Sequence, residues 1–206
     1  MFGLRRSFAT YRVAVSVLLG LFLAAGGLVG CGGNNATVPG ANHQSPQAPS
    51  VVHVDGSLAR VYHNLHELKT ASTIIVIGVV KSQHVETGSQ PPTYTLSSLS
   101  IEQTIWSSAS GSVPTSVEVR QVGGQAPDGT ISTMDSFPVF SRGARYLLFL
   151  TPALAAGEYY PVGAFQGAFS IDASGLARSY SAESAQTGVY INRTPLATMI
   201  RNIQTA

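Results

Sequence analysis

The sequence holds one cysteine, Cys31, among 206 residues, so the chain cannot close a disulfide on itself. Its stability has to come from a packed core. It contains no GxSxG, which argues against the serine nucleophile of an α/β-hydrolase. It contains neither HExxH nor HxxEH, the helical ligand patterns of zinc peptidases. The glycine-rich stretch Gly123-Gly124-Gln125-Ala126-Pro127-Asp128-Gly129 lacks the Lys-Ser/Thr that ends a phosphate loop, and it predicts a turn. Acids are sparse and scattered: Glu86, Glu102, Glu118, Asp128, Asp135, Glu158, Asp172 and Glu183 nominate no pair for acid–base work. Basic residues form no run either. Lys81, Arg120, Arg142 and Arg145 are dispersed, and Tyr94, Trp106, Tyr159 and Tyr160 are expected in the core or at its rim. No nucleic acid partner is expected.

What the chain does have is concentrated at its start. Residues 1–12 carry Arg5, Arg6 and Arg12 and no acid, and residues 13–30 form an uncharged apolar run. A basic head followed by an apolar stretch ending in small residues is the layout of a secretory signal peptide. The run also approaches the ~20 apolar residues that span a bilayer, so an uncleaved anchor helix is the competing reading. The end of the run decides between them. Leu28-Val29-Gly30-Cys31 resembles the lipobox of bacterial lipoproteins. That resemblance implies a diacylglyceryl thioether on Cys31, cleavage before it, and acylation of the new amino terminus. Arg5-Arg6-Ser7-Phe8 resembles a twin-arginine export signal, but the strongly apolar run favours general secretion. The whole chain has 12 basic and 10 acidic residues, formally +2; losing Arg5, Arg6 and Arg12 with the signal leaves nine against ten, formally −1. The basicity therefore belongs to targeting and implies no anionic partner.

Residues 1–30 are read as the signal peptide, residues 31–50 as the lipidated cysteine and a disordered tether, and residues 51–206 as one folded domain. The tether is uncharged and rich in Gly, Pro, Asn, Ser and Gln, with a span of roughly 25 Å. Residues 51–55 predict a short strand. Leu58, Val61, Tyr62, Leu65 and Leu68 fall at helical spacing, with Asp55 or Ser57 as the cap. Residues 73–86 predict a strand buried on both faces, with Gly78 at a bend or bulge. In residues 94–106 the apolar alternation slips at Ser97-Ser98, as at a β-bulge. Residues 116–122, 144–152 and 158–172 predict three further strands. The last places Phe165, Phe169 and Ile171 on one face, with Gly163 and Gly167 as bends. Residues 123–138 predict a long mobile loop. Thr194 and Pro195 predict the cap and first position of a short helix carrying Leu196, Met199, Ile200 and Ile203. The expected fold is mainly β: a small, curved five-stranded barrel with one or two short helices, preceded by the signal and lipid-anchor segment.

The order of these elements is itself informative. A helix precedes TIIVIGVV, a long second strand, VEVRQVGG, Phe140-x-x-Gly143, YLLFL and YYPVGAFQGAFSID. Over residues 65–172 this resembles the small OB-like β-barrel domain of uncharacterised secreted and lipid-anchored bacterial proteins. Gly78, Gly123, Gly124, Gly143, residues 147–150 and Gly167 carry the resemblance. The chain departs from the pattern at Ala144, where an acid is usual, and at Trp106-Ser107, where a leucine–lysine pair is usual. The resemblance implies a fold and a location. It brings no catalytic or binding residue with it.

His63-Asn64-Leu65-His66-Glu67 is the most suggestive cluster. Two histidines three apart on a helix supply two ligands, whereas a structural zinc needs four and a catalytic zinc three from protein. His63 and Glu67 fall opposite the apolar face and His66 flanks it, which reads as a solvated face. His53 and Asp55 would share a strand face, and His43 lies in the tether. No catalytic residue, metal or cofactor is nominated; the one modified residue is Cys31. The leading reading is a non-catalytic module, lipid-anchored through Cys31 to a bacterial cell membrane on its extracytoplasmic side. It would bind an envelope protein or ligand. The alternative is a secreted metal-dependent or hydrolase-like enzyme whose site gathers His53, Asp55, His63 and His66 from distant positions, with His84 as a further ligand. Convergence of three or more of these on one cavity separates the two readings. For the anchor, Cys31→Ser should block lipidation and leave the signal attached. Metabolic labelling with a clickable palmitate analogue reads this directly, and equal label on both proteins would sink the lipobox reading.

Overall fold

The structure, a computed structural model, describes residues 49–56, 58–86, 92–108 and 113–206. The expected signal peptide, Cys31, His43 and the tether up to residue 48 lie outside the described residues, as does Ser57.

The two most apolar runs form the central strands. β2 (Ile74–Glu86) pairs antiparallel with β7 (Arg145–Pro152), from Ile74 opposite Leu150 to Val79 opposite Arg145. Their β-branched, leucine and aromatic side chains suit a pleated surface packed on both sides. β3 (Tyr94–Ser107) runs antiparallel along β2, and β4 (Ser116–Val122) lies antiparallel to the first half of β3. β8 (Glu158–Pro161) then lies parallel to β4, with Glu118 opposite Glu158, and antiparallel to the end of β7, with Leu150 opposite Pro161. Five strands thereby close a ring in the order β2-β3-β4-β8-β7 and back to β2. Beyond β7 the sheet continues through β9 (Ala168–Ile171) and β10 (Leu176–Ser179) to β11 (Thr194–Pro195), eight strands in all. A small second sheet joins β1 (Val51–His53), parallel, and β5 (Gly124–Gln125), antiparallel, to β6 (Ile131–Thr133). Two α-helices, α1 (Leu65–Ala71) and α2 (Leu196–Thr205), complete a mainly β fold.

Alternation along β2 and β7 feeds two cores. Ile75, Ile77, Leu147 and Phe149 face outward and pack with Phe169, Ile171 and Ala177 under Leu68 of α1 and Met199 and Ile203 of α2. Ile74, Val76, Leu148 and Leu150 face the ring interior and pack with Leu99, Val117, Val119, Phe137, Phe140 and Phe165. Lys69 joins the two helices: its Nζ donates to Ile203 O at 2.9 Å and Ala206 O at 3.1 Å in the last turn of α2, where backbone carbonyls lack partners.

One edge of β7 serves two partners in turn, β9 at residues 145–148 and β8 at residues 150–152. The chain switches between them in a 3-10 turn, Ala164–Gly167. Gly163 and Ala164 both adopt left-handed φ, +61° and +51°, and a Cβ on Gly167 would collide with Val162 O. Gln166 is fully buried there. Its side chain donates to Tyr62 O at 2.8 Å and accepts from Tyr62 N at 3.2 Å, pinning the strap that leads into α1.

Several sequence expectations need correction. The helix begins only at Leu65, capped by Asn64 rather than by Asp55 or Ser57, because both backbone groups of Tyr62 are taken by the Gln166 side chain and not by a helical turn. Ser97-Ser98 is not a slip in β3: Thr95, Ser97 and Leu99 alternate inward without a break. The polar pair Thr95 and Ser97 faces the interior, which disguised the period. The β2–β3 pair does shift register beside Ser98, where the extra residue, Lys81, lies on β2; it shifts again at Gly78, as expected, and between Ile75 and Val76. Residues 158–172 are two strands, not one, and the turn between them sends Phe165 to the ring interior while Phe169 and Ile171 face the helices. Residues 123–138 are not a bare loop; they hold β5 and β6 and bury Phe137. Thr194 and Pro195 pair with β10 before α2 starts at Leu196. The expected central strand at Phe149 is present: the ring is fully buried and meets Phe169 edge-on at 5.9 Å. Phe149→Ala should cost about 3–5 kcal/mol of stability. Urea unfolding followed by circular dichroism measures it, and an unchanged midpoint would contradict this packing.

Candidate functional site

Where the sheet leaves the ring, Tyr146 on β7, Ser170 on β9 and Arg178 on β10 stand in one cross-strand row. Cross-strand neighbours share a face, so the row forms the floor of a groove of about 620 Å3. That volume falls in the range of roughly 300–1,000 Å3 usual for small-molecule sites. Arg145, Asp172, Tyr180, Tyr190 and Asn192 line its walls. The Nε of Arg178 donates to Ser170 Oγ at 3.1 Å, and no carboxylate pairs with Arg178 among the described residues. Arg145 is held by Glu102, Nε to Oε2 at 2.6 Å. Asp172 closes the β9–β10 hairpin: its Oδ1 accepts from Ser174 N at 2.9 Å and Leu176 N at 3.0 Å, and Gly175 supplies the left-handed φ of +75°.

An aromatic cluster lies behind the groove. The Tyr180 ring meets Phe137, Phe140 and Tyr146 edge-on, with centroids 5.3 to 5.7 Å away. Its hydroxyl donates to Val139 O at 3.1 Å, and Tyr146 Oη accepts from Ser141 N at 2.9 Å. Burial pushes the Tyr180 hydroxyl well above the ordinary tyrosine range, and the adjacent Tyr146 phenol adds to the shift.

A second feature lies on the outer face of β3 and β4. The guanidinium of Arg120 covers the Tyr94 ring at 4.4 Å and pairs through Nη1 with Glu86 at 2.7 Å and Glu158 at 3.0 Å. Burial opposes the charge of Arg120, but the two carboxylates outweigh it and hold the guanidinium above its ordinary pKa. The cation and aromatic that this face could offer a ligand are already committed to each other.

The histidines and acid singled out from the sequence divide among separate places. His53 and Asp55 line a shallow groove of about 470 Å3 with Asp135 and Glu183. His53 Nδ1 lies 3.4 Å from Asp135 Oδ2, with both side chains more than half exposed. His66 lines a different cleft beside Arg60 and Thr70. His63 precedes α1, and its backbone N donates to Glu67 Oε2 at 3.1 Å while Glu67 N donates to Asn64 Oδ1 at 2.9 Å. The HNLHE sequence is therefore a variant of the capping box: Asn64 accepts from the N–H of Glu67, and the Glu67 carboxylate reaches back to the Asn64 side chain and to the N–H of the residue before the cap. His84 is an exposed residue of β2. Two of the four nominated side chains share a cavity. Among the described residues no group of three or more His, Cys, Asp or Glu is arranged to hold a metal ion. Lys81 and Arg142, far apart in sequence, are neighbours: Arg142 Nε donates to Lys81 O at 3.0 Å.

The groove residues Arg178, Tyr180, Tyr190 and Asn192 escaped the sequence reading. The signal for the first two was present: Asp172-Ala173-Ser174-Gly175 is a turn, and Leu176, Arg178 and Tyr180 alternate after it. No protein-family model matches the chain, and no curated protein matches it. No helix among the described residues is long and apolar enough to cross a membrane.

The half-buried Tyr180 hydroxyl adds to the loss of stability at alkaline pH. An unfolded tyrosine loses its proton near pH ~10. The folded chain retains it, so the stability is fully present below that pH and falls as pH rises toward the folded value. Tyr180→Phe should flatten the decline of the urea midpoint between about pH 9 and 11. A decline of equal steepness in both proteins would show that Tyr180 is not the group responsible.

Proposed function

We propose that the chain is a lipid-anchored, extracytoplasmic binding module of bacteria, non-catalytic, built on an OB-like barrel. Counted within the ring, the five strands run first-second-third-fifth-fourth and back to the first, with the third and fifth parallel. This connectivity supports the OB-like reading, a five-stranded Greek-key barrel. The signal layout and the lipobox-like Leu28-Val29-Gly30-Cys31 support the location. The binding role rests on one observation, the groove of about 620 Å3 lined by Arg145, Arg178 and Tyr190. The enzyme alternative draws less support, since His63 and His66 lie away from the groove of His53 and Asp55.

Asn192 is exposed at the groove wall, so Asn192→Trp should fill the groove without disturbing either core. The full-length chain, solubilised from envelope membranes, should carry a co-purifying molecule that mass spectrometry detects and that Asn192→Trp abolishes. Identical material on both proteins would remove the groove from this reading.

A further inference from the structure

Resting on the groove reading above, we infer that its ligand is an acidic saccharide, a sugar ring bearing a carboxylate or phosphate. Three observations carry this. The first is charge: Arg178 projects into the groove with only its Nε engaged, by Ser170 Oγ, and no carboxylate neutralises it among the described residues. The remaining guanidinium N–H groups form a planar fork suited to two oxygens of one anion. Arg145 lines the same groove, but its charge is committed to Glu102, so Arg178 is the cation that the groove offers a ligand. The second is a platform: Tyr190 lines the groove with half of its surface exposed. A tyrosine ring matches the apolar face of a pyranose and leaves its hydroxyl for polar contact. The third is hydrogen bonding. Asn192 and Ser170 can both donate and accept, and Asp172 keeps Oδ2 only 3.9 Å from Arg193 while its Oδ1 serves the turn. Sugar hydroxyls donate to such acceptors and accept from such donors. A flat apolar ligand would leave these groups unpaired, and a bare inorganic anion would leave Tyr190 unused.

Calorimetric titration of the full-length chain in detergent micelles tests the inference with four probes: trigalacturonate, glucose 6-phosphate, neutral galactotriose and inorganic phosphate. Trigalacturonate or glucose 6-phosphate should bind, and whichever is tighter identifies the anionic group. Galactotriose should bind about tenfold more weakly or worse. Arg178→Ala should weaken the acidic sugar by about tenfold or more, and Tyr190→Ala should weaken it without changing any affinity for phosphate. Both side chains are surface-exposed, and unchanged circular dichroism will establish that the variants fold. Galactotriose binding as tightly as the acidic sugars would overturn the charge argument. Phosphate binding as tightly as the sugars, with no effect of Tyr190→Ala, would reduce the site to an anion hole. Failure of every probe, while Asn192→Trp still abolishes a co-purifying molecule, would overturn the saccharide class and leave the groove reading standing.

Discussion

β7 uses one of its edges for β2 and divides the other between β9 and β8, so almost every backbone group from Arg145 to Pro152 has a strand partner. This places severe demands on the chain between β8 and β9. It must leave β7 at Pro161, turn, and return to the same edge at Ala168. Val162 N still reaches Phe149 O at 2.8 Å, so the edge is bonded up to the point of departure. The turn needs two successive left-handed residues, and the second, Ala164, is not glycine; for an L-residue that conformation costs roughly 1–2 kcal/mol. Burial of Phe165 on one side and the double hydrogen bond from Gln166 to Tyr62 on the other offset it. The ring, the sheet extension and the strap before α1 all meet at these few residues.

The ring interior is closed at one end by a plug rather than left open. Residues 137–141 enter it, with Phe137 and Phe140 buried edge-on against each other at 5.8 Å. A backbone segment so placed must have its polar groups satisfied. Gln121 donates to Pro138 O at 3.1 Å and accepts from Phe140 N at 2.9 Å; Gln83 donates to Phe140 O at 2.6 Å; Tyr180 serves Val139 O, and Tyr146 serves Ser141 N. Thr95 performs the same task for Gly123 O at 2.7 Å. Of the inward polar residues of β3 and β4, Gln121 holds the plug directly, Ser97 accepts from the Gln83 amide that also holds it, and Thr95 serves the neighbouring turn. Replacing one alone would strand a buried partner, a penalty larger than the net worth of the bond itself.

This explains which parts of the fold were legible in the sequence. Runs buried on both faces, such as Ile74 to Ile77 and Tyr146 to Leu150, announce themselves because nothing polar can interrupt them. The strands from β2 to β4 and the central place of Phe149 were readable for that reason. Thr95 and Ser97 misled because their polarity serves partners outside the strand, Gly123 O 28 residues on and the Gln83 side chain 14 residues back, and the spacing within β3 carries no trace of them. The two short helices were half legible. α2 keeps a full apolar stripe, but α1 is brief, and the residues before it are fixed by Gln166, 104 positions along the chain. The candidate site was almost wholly hidden. Its members come from β7, β9, β10 and the segment after them, and none carries a motif. Of the cluster that looked chemical, Asn64 and Glu67 tie down the start of a helix, and His63 takes part only through its backbone N–H.

The same geometry decides where a ligand can act. In a small closed ring of strands the interior is either a cavity or a core, and here Phe137, Phe140, Phe165 and the inward side chains of five strands fill it. Binding through the lumen is therefore closed. The outer face of β2 and β7 is covered by α1 and α2, and on the outer face of β3 and β4 Arg120 is saturated by Glu86 and Glu158. The strands beyond β7 are different. Once the sheet passes the point where β8 closes the ring, its ring-side face has no opposing strand. Ser170 and Arg178 stand there open to the groove, while Tyr146, the third member of the row, is buried against Phe140 and Tyr180. A polar, partly aromatic row on a rigid sheet holds its side chains in fixed register, which lowers the entropy that binding must overcome. The groove is thus a consequence of the divided edge of β7: the strand that closes the ring also leaves β9 and β10 to build an open floor beside it.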